Sequence, residues 1–145
     1  MQFDFVESGE GPALLFLPGS FSTYTAWRGV QDQLDGEYRL ISTSLPGYGG
    51  TPEIRSDDVA DLGQTGEFVA ALAEKIGEPF HLVGHSFGAL VALAAVFSGD
   101  VKPLSLITFE TNPLASLVDG VHFGWFDDIQ AMIADFRAAI AAGDP

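Results

Sequence analysis

Cysteine is absent from this 145-residue chain. Disulfides, thiolate metal sites and a cysteine nucleophile are therefore excluded. Basic residues are scarce. Lys and Arg number 6 against 20 Asp and Glu, giving a formal net charge of −14. So few cations cannot replace phosphate counterions, which argues against nucleic acid and anionic membrane as partners. Long apolar runs are missing too. The longest, Phe87–Phe97, falls short of the roughly 18 residues that a membrane span needs. No basic stretch precedes an apolar one at Met1–Asp4, so no secretory leader is expected. What is present is apolar mass. Hydrophobic residues make up 47% of the chain, charged residues 18%, and Phe occurs 12 times. That composition argues against disorder and predicts a soluble, acidic, cytoplasmic domain with a sizeable core.

Strand-like and helix-like segments alternate along the chain. Phe3–Glu7 is a short strand candidate. Ala13-Leu14-Leu15-Phe16-Leu17 is apolar at every position and ends in Pro18-Gly19, as a strand buried on both faces would. Trp27, Val30 and Leu34 then share a helical face. Tyr38–Thr43 reads as a strand, and Leu45–Gly50 as a loop. Leu62, Val69, Leu72 and Ile76 form a helical stripe stopped by Gly77 and Pro79. Phe80–Val83 is a further buried strand, Phe87–Phe97 a helix apolar almost all round, and Leu104–Phe109 a last strand. The order predicts an α/β fold, a doubly wound sheet with parallel strands in its middle. The tail Phe126–Ala142 differs. Asp127 and Asp128 sit where a helix N-terminus favours carboxylates. Ile129, Met132, Ile133, Phe136 and Ile140 fall on one face that needs a cover.

Gly84-His85-Ser86-Phe87-Gly88 carries the chemistry. It matches Gly-x-Ser-x-Gly, with a buried strand entering and a buried helix leaving. By itself the pattern can be an ordinary βα turn. In this setting it reads as a nucleophile elbow. The turn is so tight that the positions two before and two after the serine need almost no side chain, and Gly84 and Gly88 meet that need. Ser86 is then presented at a helix N-terminus, where free N–H groups favour developing negative charge. A second motif, Leu17-Pro18-Gly19-Ser20-Phe21, follows the first buried strand. Acyl transfer needs two N–H donors aimed at one oxyanion. Phe87 supplies one in this reading. Ser20 or Phe21 supplies the other, with Gly19 allowing close approach.

Together these segments resemble the α/β-hydrolase superfamily. Leu17-Pro18-Gly19-Ser20 resembles its oxyanion loop, with Pro18 in place of the usual His. Trp27-Arg28 resembles the Trp-Arg opening the next helix. Leu45-Pro46-Gly47-Tyr48-Gly49 resembles its Leu-Pro-Gly-x-Gly loop, with Ser44 where Asp is common. The resemblance runs across Phe3–Glu110. It implies the N-terminal portion of that fold over residues 1–118, with helices on both sheet faces, and the start of a helical cap over residues 119–145. It also implies a serine hydrolase of ester, thioester or related acyl bonds, with no metal or organic cofactor and a small-molecule acyl substrate. Acyltransfer and perhydrolysis use the same machinery. Serine at position 86 weighs against the epoxide-hydrolase and dehalogenase chemistries, which use a carboxylate nucleophile.

The family's order is Ser, then acid, then His. No residue here occupies the position of the family's histidine. His85 lies inside the elbow, and its side chain is expected to point away from Ser86. His81 begins a buried strand far from the active edge, and His122 precedes the amphipathic tail. Glu110 follows the last strand at the same edge as Ser86 and is the candidate triad acid; otherwise it fixes loop backbone. The expectation is a chain cut off within the cap and inactive alone. Its sheet edge at Leu104–Phe109 is left open to self-association. The alternative is a complete chain acting as a non-catalytic ligand-binding form of the fold.

Overall fold

Every side chain of Ala13–Leu17 is apolar, and the computed structural model places this strand, β2, at the centre of a five-stranded sheet. The structure describes residues 1–55 and 62–111, together with residues 131, 132, 134, 135, 137–139, 141 and 142 of a helical stretch. Along the chain, β1 (Phe5–Ser8) and β2 lead to a 3₁₀ turn at Tyr24–Trp27 and helix α1 (Arg28–Leu34). β3 (Arg39–Thr43), α2 (Gly63–Ile76), β4 (Phe80–His85), α3 (Phe87–Phe97) and β5 (Ser105–Phe109) follow. The strand order is β1-β3-β2-β4-β5. β3, β2, β4 and β5 are mutually parallel, and only β1 runs antiparallel, beside β3.

Alternation along β2 explains the two layers. Ala13, Leu15 and Leu17 join the core cluster that holds Phe68, Val69 and Leu72 of α2 and Val91 and Ala92 of α3. Leu14 and Phe16 face the other way, into a smaller cluster with Trp27, Leu40 and Val83. A strand covered on both faces has no use for polar alternation, hence its unbroken apolar run. Gly77 stops α2 in the left-handed region at φ 72°, its N–H donating to the Ala73 carbonyl.

Two elements differ from the sequence reading. Trp27 closes the 3₁₀ turn and is buried, whereas Val30 on α1 is 44% exposed, because it borders an open cavity. α3 is buried through Gly88, Ala89, Val91, Ala92 and Ala95, but its last residue, Phe97, is 83% exposed. The helix runs off the sheet there and its apolar end meets water. Two compact units are distinguished, Met1–Asn112 and Pro113–Pro145. In the second, Met132 is helical and exposed. The expected cap boundary at 118/119, His122, Asp127, Asp128, Ile129, Ile133, Phe136 and Ile140 lie outside the described residues. Among the described residues, no helix is long and apolar enough to cross a membrane.

Candidate active site

β2 and β4 are adjacent and in register, Leu17 opposite Gly84, so the segments leaving their C-terminal ends are neighbours. The segment after β4 turns at Ser86, which has φ 52° and ψ −116° and leads directly into α3. A non-glycine residue rarely takes a positive φ, and it persists only where its surroundings over-determine it. Here the flanking glycines let the surroundings close in. A β-carbon on Gly84 would lie 2.7 Å from the Ala89 α-carbon and 2.7 Å from the Gly88 carbonyl oxygen. One on Gly88 would collide with the carbonyl oxygens of Leu17 and Pro18. The loop after β2 is as close. A β-carbon on Gly19 would meet the Ser86 β-carbon at 3.2 Å and His85 Nδ1 at 3.0 Å.

Backbone hydrogen bonds fix the corner from both sides. The Ser86 N–H donates to the Phe109 carbonyl at 3.0 Å, and the Ser86 carbonyl accepts from the Ala89 N–H at 3.0 Å. The N–H groups of Phe87 and Ser20 donate to no acceptor among the described residues. Ser20 is exposed, and Phe21 beside it is 85% exposed with φ 57°. The corner therefore offers a hydroxyl, two unused backbone donors and the N-terminal end of an 11-residue helix at one sheet edge.

The histidines and Glu110 are placed as follows. His85 Nε2 lies 2.9 Å from Glu110 Oε2. The His85 ring packs edge-on against Trp27, centroids 6.4 Å apart. His81 Nδ1 is 2.7 Å from Ser105 Oγ, across the β4–β5 pair. Thus Glu110 is brought to the site but meets His85, and His81 is held on the strand. Beside them a cavity of about 380 Å³ is lined by Gly19, Ser20, Trp27, Val30, His85 and Phe109, among others. Among the described residues, no group of three or more His, Asp or Glu is arranged to hold a metal ion.

Residues that sequence reading passed over support the loop on the other side of Phe87. Arg55 donates to both carboxylate oxygens of Glu53 and to the Pro46 carbonyl, and its guanidinium lies 6.0 Å from the centroid of the Phe87 ring. These hydrogen bonds hold Glu53 at about 2, well below its ordinary 4.5. Asp4 supplies the other support. Its carboxylate accepts from Ser44 Oγ at 2.8 Å and from the Gly50 N–H at 2.9 Å, while Ser44 Oγ accepts from the Tyr24 N–H. Neither residue carries a motif signal. Both are found only once β1 and the loop are paired in space.

A mostly parallel α/β sheet in which β4, beside the central strand, runs through a glycine-flanked serine corner into a buried helix defines a class of fold and site. The family model described as "Alpha/beta hydrolase family" matches residues 14–145, and the chain belongs to that family. Pimeloyl-[acyl-carrier protein] methyl ester esterase of Aeromonas salmonicida is 32% identical over 105 residues, covering 72% of this chain and 40% of the relative. Epoxide hydrolase 3 of Siraitia grosvenorii is 32% identical over 127 residues, 83% of this chain and 40% of the relative. A solved esterase from Thermogutta terrifontis superposes with a TM-score of 0.68 at 27% identity, covering 76% of this chain and 40% of that one. The chain thus spans about 40% of the length of these relatives.

Proposed function

We propose that this chain carries the nucleophilic half of a serine hydrolase acting on esters, thioesters or related acyl bonds. The observation that carries the reading is Ser86 at φ 52°, wedged between Gly84 and Gly88 at the start of α3 beside the Gly19-Ser20 loop. The Ser86 hydroxyl attacks the substrate carbonyl. The N–H groups of Phe87 and Ser20 receive the oxyanion, and the helix N-terminus adds to the same field. A proton must leave Ser86 as the bond forms. His81 and His85 are both engaged elsewhere, so the base is an imidazole from outside the described residues. In this reading residues 1–118 are the first part of the hydrolase core and residues 119–145 the start of a helical cap. The relatives include both an esterase and an epoxide hydrolase. A hydroxyl at position 86 favours acyl chemistry, since opening an epoxide to an alkyl-enzyme ester requires a carboxylate there.

The test is covalent labelling with a fluorophosphonate probe, in a protein that carries the base together with this chain, and mapping of the modified peptide. The expected result is a single adduct on Ser86, abolished by Ser86→Ala. That substitution is also expected to lower turnover of short-chain esters at least about a thousandfold. Adduct at another residue, or undiminished turnover by Ser86→Ala, sinks the reading. Binding of an ester without labelling or turnover transfers the chain to the non-catalytic alternative.

A further inference from the structure

The strained corner at Ser86 is tied to β5 by one backbone hydrogen bond, from the Ser86 N–H to the Phe109 carbonyl at 3.0 Å. The residue after Phe109 is Glu110, itself left-handed at φ 48°. Two non-glycine residues lie in that region, Ser86 at one end of the rung and Glu110 directly after the other, which points to a rung held for a purpose. Glu110 reaches across it. Its Oε2 lies 2.9 Å from Nε2 of His85, the residue directly before the serine. The imidazole is hemmed in elsewhere too. Trp27 packs edge-on against the ring, and Gly19 leaves no room for a β-carbon beside Nδ1. Trp27 also sits 6.3 Å from the Phe109 ring, so one indole packs against both His85 and its β5 partner Phe109.

We propose that Glu110 is a positioning residue. It receives the Nε2 proton of His85 and so fixes the His85–Ser86–Phe87 backbone, which aims both the Ser86 hydroxyl and the Phe87 N–H. The inference rests on the serine-hydrolase reading above and differs from a triad role, in which Glu110 would orient the base serving Ser86. Glu110 is 83% exposed and His85 40% exposed, so the pair adds little to stability. Its effect belongs to geometry, where a small misplacement of a nucleophile costs rate.

The experiment is a double-mutant cycle of Glu110→Ala and His85→Ala, with Glu110→Gln as the conservative variant. The readouts, in a protein that carries the base together with this chain, are Ser86 labelling by a fluorophosphonate and kcat and KM for a short-chain nitrophenyl ester; the ¹⁵N resonances of the His85 ring are read as well. The expected result is a roughly three- to tenfold fall in kcat at unchanged KM for either single variant. The double variant falls no further, because the two residues act as one unit. Glu110→Gln, whose amide oxygen still accepts a hydrogen bond from His85 Nε2–H, recovers most of the rate. A thousandfold loss by Glu110→Ala with His85→Ala near wild type would assign Glu110 to the triad and overturn the proposal. Multiplying losses in the double variant would overturn it as well. The ring resonances decide the contact without turnover. His85 is expected as the Nε2–H form, shifting on Glu110→Ala while the melting temperature holds, and unmoved resonances refute the contact. Failure of the serine reading itself shows separately, as labelling that survives Ser86→Ala.

Discussion

Asp4 ties down the loop after β3 from far upstream in the sequence. Ser44 is fully buried, and its hydroxyl would be costly to leave unpaired. Forty positions upstream, the Asp4 carboxylate accepts from it and from the Gly50 N–H, and the Asp4 N–H donates to Thr51 Oγ1. Gly49 completes the fit, since a β-carbon there would strike the same carboxylate. Asp4→Ala is expected to lower the unfolding free energy by about 1–3 kcal/mol, read from the denaturant midpoint. Ser44→Asp alone should also destabilise, because two carboxylates then share one site. The exchange Asp4→Ser with Ser44→Asp should recover much of the loss. An exchange variant as unstable as either single would show that the loop does not depend on this carboxylate. The chain names Ser44 as a departure from the family's usual Asp, yet nothing near Asp4 marks it as the compensating group. That relation exists only through the β1–β3 register, Phe5 opposite Thr43.

At the scale of the element, periodicity carried most of the information. β2 and α3 are legible because complete burial removes polar alternation, and their bounds match the apolar runs. β4 extends two residues further than its apolar core, through Gly84 and His85, so Ser86 follows the strand without a linker. Apolarity cannot mark that extension, because the residues there answer to sterics and to the β5 pairing. The loop beside Phe87 was opaque for a different reason. Its order comes from the Glu53–Arg55 pair, which is an unremarkable charge pair in sequence. Glu53 is held at about 2 when folded against 4.5 ordinarily, so the folded state favours its ionised form. That contribution is complete above about pH 4.5 and disappears as pH falls toward 2. Glu53→Gln should therefore lower the melting temperature slightly at pH 7 and converge with the parent as pH falls toward 2, flattening the dependence over that interval. The pair is partly solvated, so the effect is small. Equal acid sensitivity in both proteins would rule out Glu53 as a contributor.

The molecule as a whole sets an apolar edge against a strong charge. β5 carries no charged residue, and Leu104, Ile107 and Phe109 are 63%, 44% and 50% exposed. Natural edges are usually blunted by charge, a bulge or a covering segment. With a net charge of −14, repulsion between copies opposes contact at low salt and is screened as salt rises. The mass seen by light scattering should therefore grow with protein concentration and with added salt, and Ile107→Lys should suppress the growth. A salt-independent monomer at high concentration would exclude the edge as a contact. That β5 ends the row of described strands was foreseeable from their order. How the remaining length of the relatives is arranged was not, since the chain spans about 40% of them.

The rung from Ser86 to Phe109 also bears on when the corner takes shape during synthesis. A nascent chain grown only through α3 has no acceptor for the serine N–H, and the strained dihedral there is free to relax. Once β5 has left the ribosome and paired, the corner has the partners that the described residues give it. The geometry of the corner is thus complete as soon as β5 pairs, early in synthesis.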